Sequence, residues 1–453
     1  MLDLILFRNP EGIAKVKEIQ KKRFKSEELV DQIADLIEQQ RKVNRELCET
    51  KKRRTDIATA FKNAKIQKKD LDPALLAEKD TIEPKIKELG DQFDQLDQQI
   101  KTLVKTIGNF VHPEVVVEKD EAFNKVMRVW QPDRPAPTNP KQHQDLFKLI
   151  DGYDMERGSK VAGHRAYYLK NMGVRLNQAI RNYGIDFLMK RNYTLMETPL
   201  FMYKHLMAKT AQLSQFDEEL YHIDETNKHS SATDGEDAPV KNDANDKYLI
   251  ATSEQPISCY YSGETLNGES LPQRFGCFST CFRKEAGAAG RDNAGIFRVH
   301  QFEKIEQFVL TTAEDSDRQQ MLMLTIAEDF YRSLEIPYQI VDIVSGALNN
   351  AAVRKFDLEG YFPGSGKNRE LVSCSNCTDY QSRELDIKYT LPRAPDAKTN
   401  KVETRYVHLL NSTLCANTRT LCVILENYQT DTGIEVPEPL QSYMNGLKFI
   451  PFV

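Results

Sequence analysis

The stretch FRKEAGAAGRDNAGIFRVHQFEKIE, residues 282–306, consists of two strand-like runs joined by a loop rich in Gly and Ala. This pattern predicts a β-hairpin, whose strands lie side by side in an antiparallel sheet. Side chains two residues apart point to the same face of a strand, so Arg283 and Glu285 should share a face of the outgoing strand. On the return strand, one face is predicted to carry Arg298, His300, Phe302, Lys304 and Glu306.

The predicted hairpin face collects cations, an aromatic ring and carboxylates. Guanidinium groups bind phosphate and carboxylate bidentately. Phe302 and Glu306 would lie about 13 Å apart along the strand, far enough to hold opposite ends of one nucleotide conjugate. A ladder of salt bridges on a solvated sheet face is the alternative interpretation. The glycines of the loop match neither the Walker nor the dinucleotide pattern, which disfavours P-loop and Rossmann sites.

The region around the hairpin mixes strands and helices. Strand-like runs occur at 275–283, 297–310 and 405–410, and helical patterns occur at 174–190 and 321–334. Because these elements do not alternate strictly as βαβ units, the sequence predicts an α+β fold on an antiparallel sheet.

The N-terminal quarter carries a heptad pattern of apolar residues in two runs, 29–64 and 82–107. Such a pattern is typical of long helices that pack as a coiled coil. The turn-like segment 65–73 between the runs favours an antiparallel helical hairpin over about 28–107. Pro84 is expected to kink the second helix or to mark where it restarts.

The formal net charge of −5 disfavours an indiscriminate nucleic-acid binder, but the charge is unevenly distributed. Residues 41–69 contain eleven Lys or Arg and three acidic residues. A structural or dimerising coiled coil is the plainer interpretation of the two helices. The basic strip instead favours an arm that contacts phosphate groups.

The length of 453 residues exceeds what one hydrophobic core usually organises, so two or more structural units are expected. We predict an N-terminal domain at 1–112, a linker at 113–140, and a second domain at 141–453 with a mobile polar insertion near 226–246. No run of eighteen apolar residues is present, and the N-terminus lacks a secretion pattern. A cytoplasmic location without membrane attachment is expected, with the eight cysteines as thiols.

Three further motifs could carry chemistry. Glu370 and Ser373 offer a carboxylate and a hydroxyl, which are oxygen ligands that magnesium accepts, although such a pair is usually just surface. Cys374 and Cys377 form a CxxC without a second pair at finger spacing, so zinc is not expected. Arg419 is predicted in the first turn of a buried helix, where a cation is favoured when an anion lies nearby. The plainer alternative is that its side chain extends to the surface.

Taken together, these segments resemble the three signature motifs of class II aminoacyl-tRNA synthetases, and specifically the eukaryotic cytosolic seryl type. The resemblance covers nearly the whole chain. It is carried by the helical arm, a first-motif helix leading to Tyr193 and Pro199, the hairpin, and the segments 211–216, 252–254, 370–381 and 419–429. The sequence departs from the family pattern at Asn293-Ala294 and at Lys367-Asn368.

The resemblance implies a role for each matching residue. Arg283, Glu285 and Arg419 would be catalytic. Serine would be bound by Thr252, Ser253, Glu254, Arg283, Glu306, Asn411 and Thr413. ATP would be bound by Arg283, Lys284, Glu285, Arg298, Val299, His300, Gln301, Phe302, Glu370, Leu371, Val372, Ser373 and Arg419. Magnesium would be held by Glu370 and Ser373, and tRNA by Arg41, Lys42, Arg45, Lys51, Lys52, Arg53 and Arg54.

The implied activity is ATP-dependent ligation of L-serine to tRNA(Ser) through a seryl-adenylate, with no enzyme nucleophile. The implied partners are serine, ATP, magnesium, tRNA(Ser), tRNA(Sec) where it is present, and a second copy of the chain in a homodimer. A catalytically silent relative that binds RNA is the alternative from another functional class. A third interpretation is another class II synthetase, of the threonyl or prolyl type. Synthetases of these types usually carry an additional anticodon-binding domain.

Overall fold

The computed structural model describes residues 1–67, 73–210, 219–223, 246–285, 295–392 and 402–453. The chain forms two compact units, Met1–Asn109 and Phe110–Val453. The predicted insertion near 226–246 lies, up to residue 245, outside the described residues, as do Asn293-Ala294 and 211–216. None of the described helices is both long enough and apolar enough to cross a membrane.

The first unit is helical. After a short 3-10 helix, Leu4–Phe7, it contains α1 Pro10–Lys22, α2 Glu28–Gln67 and α3 Pro73–Val104. Asn9 begins α1, because its side-chain oxygen accepts a hydrogen bond from the Gly12 amide at 2.8 Å and Pro10 occupies the first helical position.

The predicted antiparallel helical hairpin is confirmed. Gln40 on α2 donates a hydrogen bond to Asp97 on α3, while Arg53, further along α2, bonds Glu78, which lies earlier on α3. The buried seam consists of Val30, Ile33, Ile37, Leu47 and Ile57 on α2 and of Ile82, Leu89, Ile100 and Val104 on α3.

Helix α3 continues through Pro84, so the alternative of a restart at this residue was wrong. Proline removes one backbone hydrogen bond, but the buried residues Ile82 and Leu89 hold the helix against α2 on both sides of it. Residues 68–72 of the predicted link lie outside the described residues.

The second unit is built on an eight-stranded sheet with helices around it. Its helices are α4 His143–Leu149, α5 Met155–Ala162, α6 Asn171–Met189, α7 Lys204–Met207, α8 Glu254–Ser258, α9 Ser316–Ser333, α10 Tyr380–Leu385, α11 Asn417–Tyr428 and α12 Glu438–Gln441. Its strands are β1 Lys125–Trp130, β2 Tyr153–Asp154, β3 Tyr168–Leu169, β4 Thr194–Glu197, β5 Phe201–Tyr203, β6 His222–Ile223, β7 Lys247–Leu249, β8 Thr265–Asn267, β9 Gln273–Phe282, β10 Gln301–Thr311, β11 Tyr338–Asp342, β12 Arg354–Phe362, β13 Lys367–Asn376, β14 Lys388–Thr390, β15 Thr404–Tyr406, β16 His408–Ala416, β17 Gly433–Glu435 and β18 Phe449–Pro451.

The large sheet has the strand order β1-β11-β12-β13-β16-β10-β9-β4. All neighbouring strands are antiparallel except the edge pair β4 and β9, which is parallel. The predicted α+β class is therefore confirmed. The segment predicted as a linker at 113–140 instead supplies edge strand β1, because its backbone finds hydrogen-bond partners along β11.

The predicted hairpin corresponds to β9 and β10, which pair from Phe282 opposite Gln301 to Gln273 opposite Leu310. Strand β10 begins at Gln301, four residues later than expected from the sequence. Arg298 and His300 therefore precede the strand. The loop 286–294 lies outside the described residues.

The core of the second unit lies where α6, α9 and α11 pack against the sheet. Ile180, Phe330 and Ile424 are fully buried, each from a different one of these helices. A Cβ atom at Gly184 would lie 2.5 Å from the Ile305 side chain, so glycine allows α6 to approach β10 closely. The helices thus fix β10 from one side and leave its other side to form a cleft.

Candidate active site

An open cleft of about 220 Å³ lies over the central strands of the large sheet. Strands β10, β13 and β16 form its floor, and the ends of α8 and α11 and the segments next to the hairpin loop form its walls. It is lined by Thr252, Glu254, Arg283, Glu285, Phe297, Arg298, Val299, Phe302, Lys304, Glu306, Asn349, Glu370, Leu371, Ser373, Ser375, Asn411, Thr413, Ala416, Thr418 and Arg419.

Strand β10 contributes Phe302, Lys304 and Glu306 to the cleft, as expected for alternating residues. The predicted shared face is confirmed for these three residues and was wrong for His300. The His300 ring contacts the Arg283 carbonyl oxygen through Nδ1 at 2.9 Å and lines a second cavity together with Gln301. The alternation fails at this residue because it precedes the strand.

One end of the cleft holds two acidic side chains and an ammonium group. Lys304 Nζ forms an ion pair with the fully buried Glu306 carboxylate and donates a hydrogen bond to Thr252 Oγ1 at 3.2 Å. Glu254 accepts a hydrogen bond from Gln381 Nε2 at 3.1 Å. This end is suited to a small, polar, cationic group.

Burial raises the pKa values of both carboxyl groups at this end. For Glu254, the negative charge of Glu306 adds to the effect of burial. For Glu306, Lys304 and Arg283 oppose the effect of burial without cancelling it. An additional cation in the cleft would therefore stabilise the ionised forms of both groups.

The middle of the cleft contains Arg283, directly after β9. Its Nε donates a hydrogen bond to the Ala251 carbonyl at 3.2 Å, and its guanidinium lies 5.3 Å from the centre of the Phe302 ring. Nearby, Glu285 forms an ion pair with Arg298. Glu285 has a φ of 48°, a left-handed backbone conformation that is uncommon for a residue other than glycine.

The other end of the cleft combines Arg419 with Glu370. Arg419 lies in the first turn of α11, as predicted, and its Nη1 donates a hydrogen bond to the Glu370 carbonyl at 3.0 Å. The guanidinium also lies 4.9 Å from the Phe297 ring centre. Burial raises the pKa of the Glu370 carboxyl group, but Arg419, Lys355 and Arg283 outweigh it and lower the pKa overall.

Glu370 and Ser373 both line the cleft from β13. A carboxylate and a hydroxyl with open space beside them fit magnesium, which usually takes one or two protein oxygens and completes its shell with water and substrate phosphates. The buried carboxylate of Asp357 lies on β12 directly opposite Ser373, and its Oδ1 has no hydrogen-bond partner. The residues present thus fit the ion.

The two cysteines of the CxxC have separate surroundings. Cys374 is fully buried and contacts the Gln320 carbonyl at 3.6 Å, whereas Cys377 accepts a contact from Asn411 Nδ2 at 3.6 Å. Within the described ranges, no three His, Cys, Asp or Glu side chains come together as a metal-binding group.

The structure places most of the sequence-predicted site residues in the cleft, but not all of them. Ser253 and Val372 are fully buried outside the cleft lining, and Lys284 lies beside the cleft, with its backbone bonded to Glu219. Residues that sequence reasoning did not assign to the site also line it, namely Phe297, Lys304, Asn349, Ser375, Ala416 and Thr418. The alternation along β10 placed Lys304 on the predicted face without giving it a role, whereas Asn349 arrives from a distant loop.

The basic side chains predicted to bind RNA lie on α2, and they fall into two groups. Arg53 donates two hydrogen bonds of 2.7 Å to Glu78, and Arg54 lies 3.5 Å from Glu83, so both residues connect α2 to α3. Arg41 pairs with Glu38 on its own helix. In the part of the arm that the structure describes, Lys42, Arg45, Lys51 and Lys52 are exposed and have no carboxylate within ion-pair distance.

Two family models match the chain. Residues 1–111 match the seryl-tRNA synthetase N-terminal domain, and residues 239–428 match the tRNA synthetase class II core domain (G, H, P, S and T). The cytoplasmic serine–tRNA ligase of Schizosaccharomyces pombe is 46% identical over 100% of this chain and 97% of its own length. The chain belongs to the serine–tRNA ligase family.

Solved structures agree with this assignment. The cytoplasmic serine–tRNA ligase of Naegleria fowleri in complex with AMP has a TM-score of 0.82, with 43% identity over 100% of this chain and 99% of that chain. The seryl-tRNA synthetase of Pyrococcus horikoshii complexed with ATP has a TM-score of 0.85, with 33% identity over the full length of both chains. This serine–tRNA ligase family member is therefore a class II aminoacyl-tRNA synthetase, an enzyme that joins an amino acid to tRNA.

Proposed function

We propose that the enzyme activates L-serine with ATP to form a seryl-adenylate and then transfers the seryl group to tRNA(Ser). The observation that carries this proposal is the polarity of the cleft. Two acidic groups lie at one end, a guanidinium lies in the middle, and an aromatic ring with a second guanidinium lies at the other end. An amino acid and a nucleoside triphosphate can therefore bind in one line. The solved relatives in complex with AMP and with ATP support a nucleotide as a ligand of this enzyme.

In the first step, an oxygen of the serine carboxylate attacks the α-phosphorus of ATP. The new P–O bond forms as the bond to pyrophosphate breaks, so no group on the enzyme becomes covalently modified. Arg283 lies between the two ends of the cleft, where it can neutralise the approaching carboxylate and the α-phosphate together. Catalysis then comes from positioning and from charge stabilisation.

The nucleotide is assigned to the middle of the cleft and to the end that contains Arg419. Phe302 offers a ring face for adenine, and Glu285 offers a carboxylate for the adenine amino group. Arg419, in the first turn of α11, would bind the terminal phosphate. Magnesium held by Glu370 and Ser373 would neutralise phosphate charge.

The amino acid is assigned to the acidic end. Glu254 and Glu306 would receive the ammonium group, and Thr252, Asn411 and Thr413 would surround the side-chain hydroxyl. A site built to hydrogen-bond a hydroxyl rejects an analogue without it by about 10⁴ to 10⁵-fold, because its buried polar groups would stay unpaired. Alanine would therefore be excluded without a separate editing step.

In the second step, the terminal ribose hydroxyl of tRNA attacks the carbonyl carbon of the adenylate, and AMP leaves. The unpaired cations of α2, Lys42, Arg45, Lys51 and Lys52, would bind the phosphates of the long variable arm of tRNA(Ser), and of tRNA(Sec) where it is present. The helical hairpin of α2 and α3 is not needed for adenylate formation, because the residues that line the cleft all belong to the second unit.

We also propose that the enzyme is a homodimer with the first-motif region, α6 and the strands after it, at its interface. Large apolar side chains are exposed there: Met189, Leu195, Leu200, Phe201 and Tyr203. Such a cluster marks a protein contact more often than a solvated surface. A solution mass near twice 52.0 kDa would agree with this proposal, and a monomeric mass would contradict it.

Amino-acid-dependent exchange of labelled pyrophosphate into ATP tests the activity. We expect exchange with serine alone among the twenty amino acids, and loss of exchange when magnesium is removed. Exchange driven by another amino acid would refute the substrate, and no exchange with any of them would favour the RNA-binding alternative.

A further inference from the structure

Lys304 occupies an unusual position at the acidic end of the cleft. Its side chain is 11% exposed, and it lies between the Glu306 carboxylate, which is 1% exposed, and the Thr252 hydroxyl. An ammonium group has three donors and no acceptor. Thr252 Oγ1 must therefore accept the 3.2 Å hydrogen bond from Lys304, which leaves the hydroxyl hydrogen to be donated elsewhere.

The ion pair of Lys304 involves Oε2 of Glu306, which is buried inside the cleft wall. Glu254 lies close enough for the charges of the two carboxylates to affect each other. Two carboxylates that share a buried site cannot both stay ionised without a cation, and one of them would take up a proton.

We infer that Lys304 is a positioning residue of the amino acid site, which holds Glu306 ready to bind the serine ammonium group and fixes the donor direction of Thr252. The inference rests on the proposed function, because it names the amino acid as the ligand of this end. Lys304 itself is the permanent cation, and the substrate ammonium is the second. Two carboxylates and two ammonium groups then balance in charge when serine is bound.

This arrangement has a consequence for pH dependence. The groups that face Glu306 are Lys304 on its own strand, Cys277 and Cys281 on β9, Arg283 after β9, Glu254 on α8 and Cys374 on β13. Burial raises the pKa values of the three thiols, that of Cys374 to about 12, so they stay neutral. Arg283 is shared with the carboxylate and phosphate of the substrates, so Lys304 is the cation dedicated to Glu306.

The test uses the full-length enzyme in serine-dependent pyrophosphate exchange, with KM values for serine and ATP measured from about pH 6 to pH 8. Lys304→Met keeps most of the apolar stem and removes the charge. We expect the serine KM to rise about 10- to 100-fold, as for a lost charged hydrogen bond, with the ATP KM within about twofold of wild type. Without Lys304, the pKa of a carboxyl group rises further, so the serine KM should be highest at low pH and fall as pH rises.

Lys388→Met is the matched control, because it removes the same charge from a surface lysine whose partner is Asp386. It should leave both KM values and their pH dependence unchanged. The double variant Lys304→Met with Thr252→Val should be less impaired than the product of the single effects, because both changes disrupt one network. Equal increases in the serine and ATP KM values of Lys304→Met, or no increase, would overturn the inference.

If Lys304→Met does not bind ATP, Lys304→Gln replaces it, since its amide is uncharged and can still donate to Thr252. A serine KM that depends on pH in this variant supports the inference, and one that does not depend on pH overturns it. The outcome stays separate from that of the proposed function. An inactive wild-type enzyme refutes serine activation, whereas an active wild type with an unaltered Lys304→Met variant refutes the role of Lys304 alone.

Discussion

At the scale of single residues, the cleft is governed by the cost of burying charge. Glu306 is almost fully buried, and burial raises the pKa of its carboxyl group. Lys304 and Arg283 counter this effect, as Arg419 does for Glu370 at the opposite end. Each end of the cleft thus contains a carboxylate beside a cationic side chain. The substrates would rearrange these ion pairs when they bind.

Replacing Glu306 by Gln tests the assignment of the amino acid end. The substitution keeps the shape and removes the charge, so kcat/KM for serine in pyrophosphate exchange should fall by the equivalent of about 2 to 4 kcal/mol. The ATP KM should change little, because the nucleotide contacts are assigned elsewhere. An unaffected serine KM combined with weaker ATP use would reverse the orientation proposed for the two substrates.

Replacing Arg283 by Ala should give a different pattern. One guanidinium is proposed to contact both the attacking carboxylate and the α-phosphate, so kcat should fall and the KM values for serine and ATP should both rise. The same assay measures all three quantities. Arg405→Ala serves as a control, because this arginine pairs with Glu314 on the surface. A defect confined to one substrate would show that Arg283 does not bridge the two.

At the scale of elements, the basic residues of α2 form two groups that differ in whether they pair with acidic residues of α3. Arg53 and Arg54 form ion pairs with Glu78 and Glu83 of α3. Arg45 and Lys52 are seven residues apart, which is two helical turns, so they lie on one face. Both are exposed. Counting basic residues along the sequence could not distinguish these groups, because the partner acids come from the other helix.

The double variants Arg45→Gln with Lys52→Gln and Arg53→Gln with Arg54→Gln should therefore differ. The first pair should raise the KM for tRNA(Ser) and reduce the steepness with which tRNA affinity falls with salt. The second pair carries the same charge change, yet it should mainly lower the thermal stability of the hairpin, as followed by circular dichroism. Equal effects on the salt dependence would show that pairing with α3 does not decide which cations bind RNA.

At the scale of the whole molecule, the residues of the candidate active site and the proposed RNA-binding residues belong to different compact units. All residues that line the cleft lie in Phe110–Val453, and the candidate RNA-binding cations lie in Met1–Asn109. Each unit has its own buried core. The two steps of the reaction should therefore be separable by deleting one part of the chain.

Removal of residues 29–107, with the ends bridged, should leave serine-dependent pyrophosphate exchange near the wild-type rate. Charging of tRNA(Ser) at low tRNA concentration should be lost, because the phosphate contacts of α2 are gone. Exchange and charging are measured on the same preparation, and raising the tRNA concentration should partly restore charging. Normal charging by the shortened protein would refute the role of the arm.

The sequence by itself determined the elements that rest on local pattern. The heptads of α2 and α3 required two long packed helices, and the alternation in β10 placed Phe302 and Glu306 on one face, because side-chain direction repeats with a fixed period. The family motifs marked Arg283 and Arg419 as site residues. These features depend on neighbours in the sequence or on short spacings.

The tertiary structure decided what depends on distant partners. It moved the start of β10 to Gln301 and so took His300 out of the cleft, and it brought Asn349 in from a separate loop. It made β1 an edge strand rather than a linker, because a strand exists only where another backbone offers hydrogen bonds. The alternation of β10 placed Lys304 on the same face as Glu306, but its burial and its contact with Thr252 arise only when separate segments pack together.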